Sequence, residues 1–295
     1  MARGPLHGVL VAALTPLGDG GGELDERAIE PLVDFYADAG VSGALVAGTT
    51  GEGLLLSRAE RERLAAGVVD AARGRFPVAV HAGAQSTADA LALTVHAAET
   101  GAAAVAVAAP PFFAFDEPSL IAHFQALADA CAPLPFYLYE IRQRTGYSIS
   151  VAVIEALRES AENLVGIKVS DPTIEDLERY LLPDFDVLVG TESLVKEGLA
   201  RGAVGALSGL AGALPADVVR SVEDPGDRGA TLGALRAGLE RYPFHAAGKL
   251  ALIAQNVALE PWVRPPLRQL TPAERTDLED WLTVVLSGSE WIATP

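Results

Sequence analysis

Eight short apolar runs recur along this chain, near residues 8–14, 41–47, 77–82, 103–109, 134–139, 164–169, 186–190 and 203–207. Alanine-rich amphipathic segments separate them, at Asp25–Ala39, Ser57–Arg73, Ser86–Thr100, Glu117–Ala130, Val151–Ser160, Ile174–Leu182 and Glu192–Arg201. Many of these segments open on Ser, Thr or Asp, residues whose side-chain oxygens satisfy the free amides of a first helical turn. Short apolar strands alternating with helices are the pattern of repeated βα units on a parallel sheet. Eight such units in about 210 residues fit a closed (β/α)8 TIM barrel better than an open doubly wound sheet.

A doubly wound dinucleotide fold needs a G-x-G-x-x-G turn after its first strand, opening a helix. The run Gly18-Asp19-Gly20-Gly21-Gly22 is followed instead by acidic residues. After Pro215 the strand signal stops. Periodic Ala/Leu segments then run from Ala216 to Leu286, broken by Pro225, Pro243, Pro261 and the Pro265-Pro266 pair. The expected organisation is therefore a barrel over residues 1–214 and a helical extension over 215–295 packed on it.

Half the residues are hydrophobic, enough for a large core, and the net charge is −17. That charge argues against nucleic acid or an anionic membrane as partner, since both need clustered Lys and Arg. Cys131 is the only cysteine, which excludes an intrachain disulfide and a thiolate metal cluster and fits a reducing compartment. The first residues lack the charged-then-apolar pattern of a secretory signal, and no apolar run reaches membrane-spanning length. A cytoplasmic protein is expected.

Only three lysines occur, against nineteen arginines. Lys196 and Lys249 fall in helix-like segments, where the charge is expected to reach water along its own stem. Lys168 lies inside the apolar strand Asn163–Val169, where an ammonium is costly unless paired or deprotonated. Unlike arginine, lysine can lose its proton and attack a carbonyl. Lysines in strands also serve sheet edges and buried ion pairs, so the strand alone leaves both readings open.

In a TIM barrel the active site lies at the C-terminal ends of the strands. Gly48-Thr49-Thr50-Gly51 there offers successive backbone amides for a carboxylate, with two hydroxyls beside them, or simply makes a βα turn. Tyr139 carries a phenol that either shuttles a proton or packs at the rim. The histidines at 7, 81, 96, 123 and 245 show no metal spacing; His81, at the end of the third strand, either faces the pocket or is structural.

Taken together, Ala13-Leu14-Thr15-Pro16, Gly48-Thr49-Thr50-Gly51-Glu52, Tyr139 to Gly146, Gly166-Ile167-Lys168 and Gly205-Ala206-Leu207-Ser208 resemble the dihydrodipicolinate synthase / N-acetylneuraminate lyase family of Schiff-base pyruvate lyases. The likeness runs from about residue 6 to 215. It implies that Lys168 is the Schiff-base lysine, Tyr139 the acid/base group and Thr49 the hydroxyl linked to that phenol. It further implies that the Thr50 amide binds the 2-oxo acid carboxylate, and that Gly190 and Leu207 line the pyruvate pocket through their backbones. Gly48, Arg144, Glu192 and Ser208 complete the candidate substrate-binding set. A neutral Lys168 would add to pyruvate and lose water to an iminium, an electron sink that makes metal and organic cofactor unnecessary. Homo-oligomers, dimers or tetramers, are usual in the family.

The chain departs from the family where specificity is set. Dihydrodipicolinate synthases close a proton relay with a tyrosine in a Pro-Tyr-Tyr motif, but here Pro110-Pro111-Phe112-Phe113 has no such hydroxyl. Sialic-acid lyases show an acidic pair where this chain has Gly190-Thr191-Glu192-Ser193. The family's asparagine after the tyrosine is Glu140, and the proline before Arg144 is Arg142. Arg142 and Arg144 either bind an anionic second substrate, or Arg142 pairs with Glu140 or a neighbouring subunit. The expected activity is reversible cleavage of a 2-keto-3-deoxy sugar acid, or a related 4-hydroxy-2-oxo acid, to pyruvate and an aldehyde. The alternatives are 4-hydroxy-tetrahydrodipicolinate synthase and a non-catalytic keto-acid-binding protein.

Overall fold

In a computed structural model, residues 4–224, 226 and 230–287 are described. Eight parallel strands close into a barrel: β1 Gly8–Ala12, β2 Gly43–Val46, β3 Val78–His81, β4 Ala104–Ala108, β5 Phe136–Glu140, β6 Leu164–Val169, β7 Asp186–Val189 and β8 Gly205–Ser208. Closure is made by β8 on β1, with Leu10 level with Leu207 and, on its other side, with Gly43. Each expected strand is present, its ends within two residues of those expected. The Gly18–Gly22 run forms the tip of a small antiparallel ribbon, Leu17–Gly18 against Glu23–Leu24.

Helices α1 Ile29–Asp38, α2 Arg58–Ala72, α3 Thr87–Glu99, α4 Glu117–Cys131, α6 Val151–Ser160, α7 Ile174–Glu178 and α8 Val195–Ala200 alternate with the strands. A four-residue helix, α5 Arg142–Thr145, follows β5 and ends on Gly146, whose φ of 89° suits a residue without a Cβ. Side-chain caps start most of the longer helices. Ser57 and Glu60 form a capping box on α2, and Ser86, Asp116 and Ser150 accept from the third amides of α3, α4 and α6. Helix α9 Pro215–Glu223 packs on β1 and completes the eighth βα unit. Among the described residues three further helices follow, α10 Ala230–Glu240, α11 Phe244–Ala254 and α12 Pro272–Leu286. Pro225, read from sequence as a breaker, lies outside the described residues. Among the described residues, no helix is long and apolar enough to cross a membrane.

Strand periodicity sorts the side chains. Val9 and Val11 face the helices, while Leu10 and Ala12 join Leu45, Ala79, Ala106, Tyr137, Leu188 and Leu207 in a separate cluster inside the barrel. On β5 the same alternation places Phe136 and Leu138 outside and Tyr137 inside, so Tyr139 also faces inward. Strand β6 needs a correction to reach the same result. Its Leu164 is in the outer cluster, and a register shift between Phe136–Leu164 and Tyr137–Gly166 inserts one residue. A bulge of one residue exchanges the faces of everything after it. Gly166 and Lys168 therefore point inward, and Lys168 pairs in register with Tyr139.

Candidate active site

Lys168 and Tyr139 meet at the C-terminal ends of β6 and β5, both buried, with the Lys168 Nζ 4.2 Å from the Tyr139 ring centroid. The Tyr139 hydroxyl lies 3.3 Å from Thr49 Oγ1. Burial works to raise the phenol's pKa. The charge of Lys168 and hydrogen bonds from Thr49, Lys168 and Ser170 outweigh it and hold the phenol below its ordinary value. A phenol held below its ordinary value gives up its proton more readily than a free tyrosine, which suits a group that must pass a proton to and fro.

The loop carrying Thr49 and Thr50 is held from several sides. Ala47 and Glu52 both adopt left-handed backbone, with φ of 56° and 57°, uncommon for residues with a Cβ. Gly53 turns so tightly beneath the loop that a Cβ there would lie 1.7 Å from the Ala47 carbonyl oxygen. The Thr15 hydroxyl donates to the Gly51 carbonyl, which ties the Ala13–Pro16 segment to this turn. His245 Nε2 bonds the Thr49 carbonyl at 3.0 Å. The Thr50 and Gly51 amides donate to no acceptor among the described residues, which leaves them open to a carboxylate.

Beneath the loop, Glu52 is paired with Lys249 at 2.6 Å and accepts the Arg264 amide, also at 2.6 Å. Both side chains of the pair are fully buried, and Lys249 also donates to the Trp262 carbonyl. This corrects the sequence expectation for Lys249. Its stem runs into the barrel's flank rather than to water, and an oppositely charged partner 197 positions earlier in the chain takes the place of solvent.

A cavity of about 380 Å³ opens above Lys168, lined by Thr49, Thr50, Tyr139, Arg144, Gly190 and Glu192 from the expected set. Gly190 sits so close to the lysine that a Cβ would meet Lys168 Cε at 2.8 Å and Ser170 Oγ at 2.1 Å. Leu207, Ser208 and Gly48 do not line this cavity. Leu207 belongs to the barrel interior. Ser208 donates to Glu192 Oε1 and accepts the Ala211 amide, so its hydroxyl is fully engaged. Glu192 also accepts the Leu210 amide at 2.9 Å, which fixes its buried carboxylate.

The two arginines expected at the mouth separate. Arg144 lines the cavity and has no ion-pair partner among the described residues. Arg142 turns outward and bonds Asp176 at 3.3 Å, not Glu140. Glu140 faces the other way, accepting the Ile149 amide at 2.6 Å and lying 3.2 Å from the Tyr180 hydroxyl. Burial, reinforced by nearby Asp171, pushes the Glu140 carboxyl up to about 7.

His81 lies behind Tyr139, edge-on at 5.9 Å between ring centroids. Its Nδ1 is 3.2 Å from the Ala47 carbonyl and its Nε2 accepts the Ala108 amide. Burial and the neighbouring Arg61 push its pKa down to about 3, so it is a neutral structural imidazole. Cys131 is packed, its thiol pushed up by burial to about 11. Phe113 is exposed and stacks between Phe112 and Phe115, away from the cavity lining.

Several lining groups carry no sequence motif. Ser170 stands two residues past Lys168, on the same face by strand period, and that spacing was the available signal. Arg236 and Glu240 reach the cavity from α10, and nothing local in the sequence links them to a barrel strand end.

Comparison with known proteins identifies the family and the fold. The model of the dihydrodipicolinate synthetase family matches residues 5–284. An uncharacterized DapA-like lyase of Halobacterium salinarum is 34% identical over 93% of this chain and 92% of its own. An N-acetylneuraminate lyase of Rhizobium meliloti is 36% identical over 68% of this chain and 67% of its own. The crystal structure of dihydrodipicolinate synthase from Aquifex aeolicus superposes with a TM-score of 0.87 at 29% identity, covering 97% of this chain and all of that one.

Proposed function

Because the chain belongs to the dihydrodipicolinate synthetase family, we propose that it is a pyruvate-dependent class I aldolase or lyase in which Lys168 forms the Schiff base. Its substrate is a 2-keto-3-deoxy sugar acid or a related 4-hydroxy-2-oxo acid, cleaved reversibly to pyruvate and an aldehyde. The observation that carries this reading is the buried Lys168 against Tyr139, whose phenol meets Thr49, at the base of a polar cavity.

The steps follow from these groups. The Lys168 ammonium passes a proton to the Tyr139 phenolate, the freed amine adds to the C2 ketone, and the proton returns to the departing hydroxyl as water leaves, giving an iminium beside the phenolate. Tyr139, as phenolate, takes the proton from the C4 hydroxyl. The C3–C4 bond breaks, its electron pair flows into the iminium, and an aldehyde and an enamine result. The Tyr139 phenol returns its proton to the enamine at C3, and addition of water to the resulting iminium releases pyruvate and restores the Lys168 ammonium and the phenolate. The Thr50 and Gly51 amides hold the substrate carboxylate and so fix the reacting carbon. This sequence asks for no metal or organic cofactor.

A second reading, 4-hydroxy-tetrahydrodipicolinate synthase joining pyruvate to aspartate semialdehyde, is favoured by Arg144, a cation in the lining without an ion-pair partner among the described residues and suited to the semialdehyde carboxylate. Phe113, where that reaction's relay needs a hydroxyl, weighs against it. The exposed, mutually packed Phe112, Phe113 and Phe115 support a homo-oligomer, dimer or tetramer, and the single buried thiol supports a cytoplasmic setting.

Borohydride reduction with pyruvate, followed by intact mass and peptide mapping, is expected to show one reduced adduct on Lys168. No adduct there would end every Schiff-base reading. Pyruvate release from a panel of 2-keto-3-deoxy acids, set against pyruvate consumption with aspartate semialdehyde, ranks the two enzymes. Turnover with the semialdehyde alone would put the synthase ahead of the aldolase.

A further inference from the structure

We propose that Arg236 and Glu240, on helix α10 of the C-terminal extension, form the receptor for the hydroxyl groups of the aldehyde half of the substrate. This rests on the aldolase reading above and adds to it the subsite that selects a polyhydroxylated aldehyde over a charged one.

Both residues line the same cavity as Lys168. The Arg236 guanidinium lies 4.0 Å above the Phe244 ring and donates through Nη2 to Glu240 at 2.7 Å. Its Nη1 stands 3.5 Å from Glu192 Oε2, the outer limit of a useful hydrogen bond. A guanidinium has five N–H donors in a planar fork, so donors remain for a ligand. Glu240 is 52% exposed and keeps an acceptor oxygen beyond the one that meets Arg236. Glu192, by contrast, is fixed by Ser208 and Leu210. The wall thus presents a positioned donor next to an acceptor, the complement of neighbouring hydroxyls, each of which accepts one bond and donates another.

The charge balance points the same way. This wall carries two carboxylates, Glu192 and Glu240, against one guanidinium, so a carboxylate or phosphate terminus would meet net repulsion there. Arg144, which has no ion-pair partner among the described residues, belongs to the segment after β5 rather than to this wall. A hydroxylated chain extending from the reacting carbon can satisfy the α10 wall without adding charge to it.

The test compares D-glyceraldehyde with propanal, its analogue without hydroxyls, as acceptors for the pyruvate enamine. The unaltered enzyme is expected to favour glyceraldehyde in kcat/KM by roughly 10–100-fold, the worth of one or two hydrogen bonds to charged groups. Arg236→Met, which keeps the side chain's packing on Phe244, should bring the ratio near one through the acceptor's KM. Glu240→Gln, on an exposed side chain, should lower the ratio by a smaller factor and guards against a folding defect in the first variant. Borohydride trapping of pyruvate on Lys168 checks that each variant retains the first half of the site. A ratio unchanged in both variants, or equal losses with both aldehydes, overturns the proposal and leaves Arg236 a packing residue. An unaltered enzyme that traps pyruvate yet prefers propanal overturns it too, while the Schiff-base reading stands. Failure to trap pyruvate removes that reading itself.

Discussion

Replacing Lys249 by Met tests the buried pair under the loop that carries Thr49 and Thr50. Methionine keeps most of the stem's volume and removes only the charge. In the native protein Lys249 and Glu52 are 2.6 Å apart with no exposed side-chain surface. The variant would therefore leave a buried carboxylate without its cation, a change that typically costs 3–5 kcal/mol. The cheapest escape is for Glu52 to take a proton. At pH 7 protonating an ordinary glutamate costs about 1.36 kcal/mol for each unit above its reference value near 4.3, or roughly 3.7 kcal/mol. The expected loss at pH 7 is thus about 3–4 kcal/mol, which lowers Tm by roughly 6–15 °C in a domain of this size. The same arithmetic makes the loss shrink to about 1 kcal/mol at pH 5. The sign follows because the variant's folded state would bind one more proton than its unfolded state, so its stability falls as pH rises. Urea denaturation of both proteins at pH 5 and pH 7 measures this directly. The double variant Lys249→Met with Glu52→Gln should recover much of the loss, since the amide oxygen can still accept the Arg264 amide. A single variant within 1 kcal/mol of native at both pH values would refute the buried-charge argument.

Tyr139→Phe should lower kcat by roughly 10²–10⁴, the usual worth of a positioned acid/base group, with pyruvate still trapped on Lys168; an unchanged rate would remove the phenol from the mechanism. Glu140→Gln probes the carboxyl that burial raises to about 7. A raised folded-state value means that stability is present below the unfolded value and is lost as pH rises through about 7. The amide variant should flatten that decline and melt above the native protein at pH 8, as thermal scans from pH 4 to 8 would read. A steeper decline in the variant would show that Glu140 is held charged.

The barrel was legible because its signal is local. Each βα unit announces itself by an apolar run and a capped amphipathic segment, and Ser57, Ser86, Asp116 and Ser150 cap helices where the sequence places them. Tyr139, Thr49 and Lys168 were legible for a related reason, since each stands at or just past a strand end, where the closed barrel brings its loops together. Even so, the inward direction of Lys168 depends on the extra residue near Val165, and no periodicity in Leu164–Val169 betrays a bulge. What escaped the sequence depends on partners far apart in the chain. Lys249 resembled a surface lysine because helix spacing reports which side of a helix is apolar, not that Glu52 of another loop waits beneath it. Arg142 looked like a companion of Arg144 because they are neighbours, but two residues apart on a helical turn face different ways. That divergence sends one arginine to Asp176 and leaves the other in the cavity. Arg236 reaches Glu192 across 44 positions and only because α10 folds back over the loops after β7 and β8. The groups read from motifs surround the lysine and the carboxylate site common to all the reactions considered. Those supplied by the extension border the space that the proposed aldehyde half would occupy, and no motif near a strand end marks them.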